Sequence, residues 1–322
     1  MAQHRALAVV CAAALGWTAV AVGAALTAPA RAQYPLDPPN NIPLTSKAFG
    51  SDCTNHPFQD ACENIVIIAL NHAHAVFGQP AYPLPSRFRS LSGANQLLVL
   101  SNIDRGLYGR APVTGRNGVL DASATYGATH NADPAFVKLG GHGPVVGGAV
   151  WAGGMASPLV AYYLWMFADG VYRNGWGNPP CRQAGESACW AHRHNILLRA
   201  TTNSARLLMG AGHGRNSAGR PAWALLYEAF AEGTQLTWVP TVVGLSTYAG
   251  PHGGATVVTL SGYGFAQVTS VTFGTTKAGF HVDSKFTMHA TAPPHAKGHV
   301  FVQVHTNGGT SDRTASAAYT YT

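Results

Sequence analysis

Apolar residues recur at helical spacing through the first two thirds of the chain and at alternating spacing through the last quarter. Ile65, Ile68, Ala69, His72 and Val76 mark one face of a first helix that stops near Gly78 and Pro80. Leu97, Leu100, Ile103 and Leu107 mark a second helix over 96–107, and Asp121 is a candidate cap for a third running to about Asn131. Ser157-Pro158 pairs a capping residue with proline at the first helical position, so it opens a fourth helix carrying Leu159, Tyr162, Tyr163 and Met166. Ser187 is a candidate cap for a fifth, through Cys189, His192, Ile196 and Leu197. Residues 206–212 and 223–230 read as two strands around a Gly/Arg loop.

The texture changes at Pro240. Short alternating runs follow, at 256–261, 270–273, 280–282, 286–292, 299–306 and 317–321, separated by Gly and Pro. Val300, Val302 and Val304 face one way and Phe301, Gln303 and His305 the other; Phe286, Met288, Ala290 and Ala292 share a face one strand earlier. Regular short strands of this kind predict a small β-sandwich. The fold class expected is therefore α+β, an α/β/α sandwich followed by an all-β sandwich.

The N-terminus has a basic start at His4 and Arg5, an apolar run over 6–26, and Ala30-Arg31-Ala32, a small-x-small cleavage pattern. A signal peptide over 1–32 is expected, followed by an extended Pro-rich arm over 33–60. After cleavage no apolar run reaches about 18 residues, so no stable membrane insertion is expected. Only 10% of residues are charged, against about 25% in an ordinary domain, which suits a secreted protein. The net charge of +7 falls to +5 without Arg5 and Arg31, and it is scattered, which argues against nucleic acid as a partner. Cys11 leaves with the leader. Among Cys53, Cys62, Cys181 and Cys189 three pairings are possible, and proximity favours Cys53–Cys62 and Cys181–Cys189.

Two stretches resemble known families. Pro240–Val243, Gly253-Gly254, Leu260-Ser261-Gly262-Tyr263-Gly264-Phe265, Val271–Gly274, Ala292-Pro293-Pro294 and Gly308–Ser311 are similar to an IPT/TIG immunoglobulin-like domain, expected over 238–322. That resemblance implies a spacer, surface-binding or self-association module without catalytic residues. Asn102–Leu107, Leu120–Ala128, Val150–Gly154, Leu164–Phe167 and Cys189–Leu197 resemble the CAP superfamily of cysteine-rich secretory, antigen 5 and pathogenesis-related proteins, over 61–237. That resemblance implies an α/β/α sandwich whose cleft often holds a divalent metal with two histidines and two glutamates. Residue by residue, His192 fits one histidine, while Gly127, Ala149 and Ala168 stand where the other three belong. One imidazole does not hold a zinc ion, so no metal or cofactor is expected.

The candidate chemistry is sparse. His192 reads either as a buried histidine bonded to a carbonyl or as a general base with Asp169 or Glu186 as its partner. Asp104 beside Arg105 reads as a salt-bridged helix surface or a brace within the domain. Gly210-Ala211-Gly212-His213-Gly214 reads as a strand end or hairpin loop, not a dinucleotide fingerprint. Trp151, Trp165, Trp176, Trp190 and His192 are the expected ligand cleft, with Trp176 the best exposed contact. An aromatic rim suits an extracellular carbohydrate or lipid. The expectation is a secreted, non-catalytic binding protein. A secreted hydrolase using His192 and a lipid or sterol carrier are the alternatives.

Overall fold

The computed structural model describes residues 34–38, 41–42, 52–169, 190–200 and 206–322. The expected leader, Cys181, Cys189, Trp176, Glu186 and Ser187 lie outside these residues.

Three strands form the first sheet: β1 (Val146–Gly153), β2 (Arg206–Arg215) and β3 (Pro221–Phe230), in the antiparallel order β1-β3-β2. Helices α1 (Asp60–Val76), α2 (Gly93–Leu107) and α4 (Pro158–Phe167) share one core with Val150, Leu207, Met209, Ala211, Trp223, Leu225, Tyr227 and Ala229. The alternate residues Ala149, Leu208 and Leu226 face the other way and pack with Leu120 of α3 (Gly118–His130), while Ala222 and Ala224 pack with Ala128 further along it. Period-2 alternation with both faces apolar is what a sheet between two helical layers requires. The first unit is thus built of helices and strands, with helices packed on both faces of the sheet.

Local chemistry sets the starts of two helices. The Ser157 hydroxyl accepts from Val160 N and Pro158 occupies the first turn, as expected. The third helix differs. Its cap is Asn117, whose side chain accepts from Val119 N and Leu120 N, while Asp121 lies one turn inside and binds Arg116 at 2.8 Å and Ala211 N. Asn and Asp cap equally well, so only the tertiary pull on Asp121 distinguishes them.

Strand β1 is absent from the sequence reading because Gly147, Gly148 and Gly153 weaken any strand signal. The glycines at 210 and 212 lie inside β2, not at a hairpin. A Cβ at Gly212 would stand 2.0 Å from Thr125 N, and one at Gly210 2.2 Å from the Leu120 carbonyl carbon. These positions let α3 lie directly on the strand.

Strands β4 (Thr241–Leu245), β5 (Ala249–Gly250), β6 (Val257–Tyr263), β7 (Val268–Phe273), β8 (Thr276–Val282), β9 (Thr287–Thr291), β10 (Gly298–Thr306), β11 (Gly309–Thr310) and β12 (Ala318–Tyr321) make the second unit. They run in the continuous order β4-β6-β9-β8-β7-β10-β12-β5, with β11 on β10. The sheet curls on itself around Val258, Leu260, Val271, Phe273, Met288, Ala290, Val302, Val304, Tyr319 and Tyr321. Val302 with Val304, and Met288 with Ala290 and Ala292, point inward as expected.

The two units meet through a dense polar joint. Val239 N donates to Arg116 O at 2.9 Å, Gly264 N to Thr114 O at 2.9 Å, and Trp238 Nε1 to Thr114 Oγ1 at 3.1 Å. Ser92 and Asn95 both donate to Asp312 Oδ2, at 2.8 and 2.9 Å. The Arg87 guanidinium lies 3.8 Å above the Tyr248 ring and donates to Ala315 O.

Candidate functional site

The His192 region is built by a short helix, α5 (Ala191–Ile196), seated on β1. Trp190 enters it with φ at 60°, a left-handed turn that swings its indole into the core, where it is fully buried. Asn195 Nδ2 donates to Ala149 O at 2.7 Å, and Gly148 makes the approach possible, since a Cβ there would meet Asn195 at 2.9 Å. Arg193 fastens the helix underneath. It is fully buried and donates to Leu36 O, Met166 O and the Tyr108 hydroxyl. Leu36 and Ile42 show that the described parts of the expected arm dock on the domain, with Ile42 N bound to Phe167 O at 2.8 Å. His194 pairs with Asp37 of the same segment.

Asp169 follows α4 and turns toward the first turn of α5. Its Oδ2 accepts from His192 N at 2.9 Å, and its Oδ1 accepts from His192 Nδ1 at 2.8 Å. The carboxylate is 1% exposed and the imidazole 22% exposed. His192 is thus bonded to a carboxylate, not to a carbonyl. Burial pulls its pKa down, but the hydrogen bond and charge of Asp169, aided by Asp133, outweigh that and raise it. Burial pushes the Asp133 carboxyl up, and the neighbouring His192 pulls it back. With Nδ1–H held by Asp169, Nε2 is the acceptor, and no described residue bonds it. The arrangement can take a proton from a water or hydroxyl. Asp133 is the member of this cluster that the sequence reading missed; only its place beside Pro134, just past the third helix, hinted at a fixed loop.

At the positions where the CAP resemblance would place the other three donors, no ligating side chain stands. A Cβ on Gly127 would meet Ala132 O at 2.7 Å and Pro134 N at 2.9 Å, so the loop after α3 fills the space a side chain there would need. Ala149 is 8% and Ala168 6% exposed. The next loop residues are tied to the sheet through Val137 N, which donates to Glu228 Oε1 at 2.7 Å. Glu228 is fully buried, and burial lifts its pKa to about 7. Among the described residues no group of three or more His, Cys, Asp or Glu is arranged to hold a metal.

The expected aromatic rim is corrected. Trp165 and Trp190 are 2% and 0% exposed and belong to the core, because their rings fill the space under α4 and α5. Only Trp151 is partly exposed, and its carbonyl accepts from Trp165 Nε1 at 3.2 Å. Trp176 and Glu186 are outside the described residues.

Asp104 is an internal brace, and its partner is not Arg105. Oδ1 accepts from His74 Nε2 at 2.9 Å, and Oδ2 from the hydroxyls of Tyr82 and Tyr162 at 2.7 and 2.6 Å. Arg105 is buried and donates instead to Ala111 O, Ile196 O and Leu198 O. Cys53 and Cys62 form a disulfide, one of the two expected pairings.

Comparisons with known proteins bear mainly on the second unit. No CAP match is found among family models for the first unit, and no curated protein matches the chain. Solved structures that align with it include SGBP-B from a xyloglucan utilization locus of Bacteroides uniformis, at 17% identity over 34% of this chain and 35% of that one, with a TM-score of 0.24. The plexin A4 extracellular region aligns at 18% identity over 35% of this chain and 14% of that one, with a TM-score of 0.23. A gamma-CGTase from Alkalophilic bacillus clarkii aligns at 14% identity over 47% and 32%, also at 0.23. The chain spans about a third or less of each, and scores this low assign neither fold nor function. The family comparison is specific: residues 240–322 match the IPT/TIG domain, so the curled second sheet is an IPT/TIG domain.

Proposed function

We propose that this is a secreted protein of the cell envelope or medium that works by binding, with a CAP-like domain whose cleft is closed, joined to an IPT/TIG domain. The observation that supports this most is the loop at 132–134, packed where a side chain on residue 127 would stand. With Ala149 and Ala168 at the other positions, only His192 remains of the four donors that the CAP resemblance implies. Export is supported by the leader pattern and by a disulfide, which persists in oxidising compartments. No helix among the described residues is long and apolar enough to cross a membrane. Purified protein incubated with peptidoglycan, peptide and ester panels is expected to turn over nothing beyond the His192→Ala background. Turnover that disappears in His192→Ala would overturn the reading.

A second reading has one specific observation behind it. The 2.8 Å bond from His192 to Asp169 is the geometry a hydrolase needs to activate water at Nε2. The same panel separates the two. Lipid or sterol carriage lacks such support, since the groove at the domain joint is lined by Arg206, Lys285, Glu232, Gln235 and Gln267.

A further inference from the structure

The joint between the two units forms an open groove of about 700 Å³. Its walls come from both sides: Arg206, Thr234 and Gln235 from the first unit, Gln267, Lys285 and Phe286 from the second. Two cations converge on one indole. The Arg206 guanidinium lies 6.0 Å from the Trp238 ring and the Lys285 ammonium 5.9 Å from the same ring. Trp238 is held in place by its bond to Thr114 Oγ1 and is 3% exposed, so it positions the cations and leaves the groove open.

Neither cation is neutralised. Among the described residues no carboxylate lies within 4.0 Å of either, although Glu232 also lines the groove. Arg206 spends Nη2 on Thr234 O at 2.5 Å, and its Nε is buried without a partner. Burial and the charge of Arg206 both push the Lys285 pKa down, as expected where two cations face each other across a partly enclosed space. Such a pair gains most when an anion enters between them, and the side-chain amides of Gln235 and Gln267 supply further donors.

We propose that this groove binds an oxyanion carried on a small polar molecule: a carboxylate, as in an acidic sugar, or a sulfate or phosphate ester. The volume suits a molecule of roughly sugar size, within the ordinary range for ligand sites of about 300–1,000 Å³. The site deepens the binding reading by naming a ligand class, and it shares no residue with the His192–Asp169 pair, so either can fail alone.

The test is calorimetric titration of the full chain at low ionic strength with glucuronate, inorganic phosphate and sulfate, using glucose as the neutral control. At least one oxyanion is expected to bind saturably, one per chain, with affinity reduced about tenfold in Lys285→Gln and abolished in Lys285→Glu. Glucuronate binding without phosphate or sulfate binding assigns a carboxylate, and the reverse assigns a tetrahedral phosphate- or sulfate-type oxyanion. No saturable binding, equal response to glucose, or unchanged affinity in Lys285→Gln overturns the site. Lys285 makes no side-chain hydrogen bond among the described residues, so its variants are expected to fold and keep the wild-type melting temperature.

Discussion

Removing the Asp104 carboxylate tests the account of the first unit's core. Its three donors, His74 Nε2, Tyr82 OH and Tyr162 OH, have no water to turn to, since Asp104 and His74 are 0% exposed and Tyr162 is fully buried. His74 is also held from the other side, where Nδ1 donates to Pro80 O at 2.7 Å, and its ring stacks on Tyr82 at 3.8 Å. In Asp104→Ala all three donors lose their acceptor, and at about 1–3 kcal/mol for each unmet buried group the cost is about 5 kcal/mol. Asp104→Asn differs in kind. With its amide oxygen accepting from the tyrosines and its NH₂ donating to a His74 ring whose proton sits on Nδ1 alone, every group stays bonded, and only charge assistance is lost, about 2 kcal/mol. Tyr162→Phe removes one donor and leaves Oδ2 bonded to Tyr82, a loss of about 1 kcal/mol. Urea unfolding followed by tryptophan fluorescence, with the slope held in common, measures all three. An Asp104→Ala cost below about 2 kcal/mol, or equal costs for Asn and Ala, would refute the satisfied-network argument.

Three further outcomes follow from the structure. Glu228 has a folded pKa of about 7, above its ordinary value of 4.5, so its contribution is full below pH 4.5 and is lost as pH rises through 7. Glu228→Gln is expected to flatten the fall in unfolding free energy between pH 5 and pH 8 by about 2–3 kcal/mol, and an unchanged slope would contradict it. Gly212→Ala drives a Cβ into backbone at 2.0 Å and is expected to cost about 3 kcal/mol or more, whereas Gly219→Ala, in the exposed turn between β2 and β3, is expected to cost about 1 kcal/mol; denaturant melts compare the two. Reducing the Cys53–Cys62 bridge, which spans a separation of 9 residues, releases a short loop and is expected to cost about 2.5 kcal/mol, read from unfolding with and without reductant.

What the sequence made legible was local. Ser157-Pro158 announces a helix because cap and first-turn proline are adjacent, and the alternation of Val300, Val302 and Val304 needs no partner to be seen. Cys53–Cys62 follows from nearness in the chain. What stayed hidden depends on pairings across distance. His74 and Asp104 are 30 residues apart, and nothing near either names the other. The glycines of β1 obscured that strand, Gly148 among them because it answers to Asn195 and not to its own segment. The indoles of Trp165 and Trp190 looked like a rim because composition reports aromatic richness without depth. For His192 the sequence supplied Asp169 as a candidate and the fold supplied the bond. The Asp133 loop and the Arg206–Lys285 groove depend on how loops close and how the two units dock.

The proposed binding role requires that no metal ion sit at His192. Calorimetric titration of Zn²⁺ into the wild-type chain and His192→Ala tests it most directly. Any zinc uptake, including that by exposed histidines such as His281, is expected to be the same in both proteins. One equivalent bound by wild type and lost in His192→Ala would contradict it.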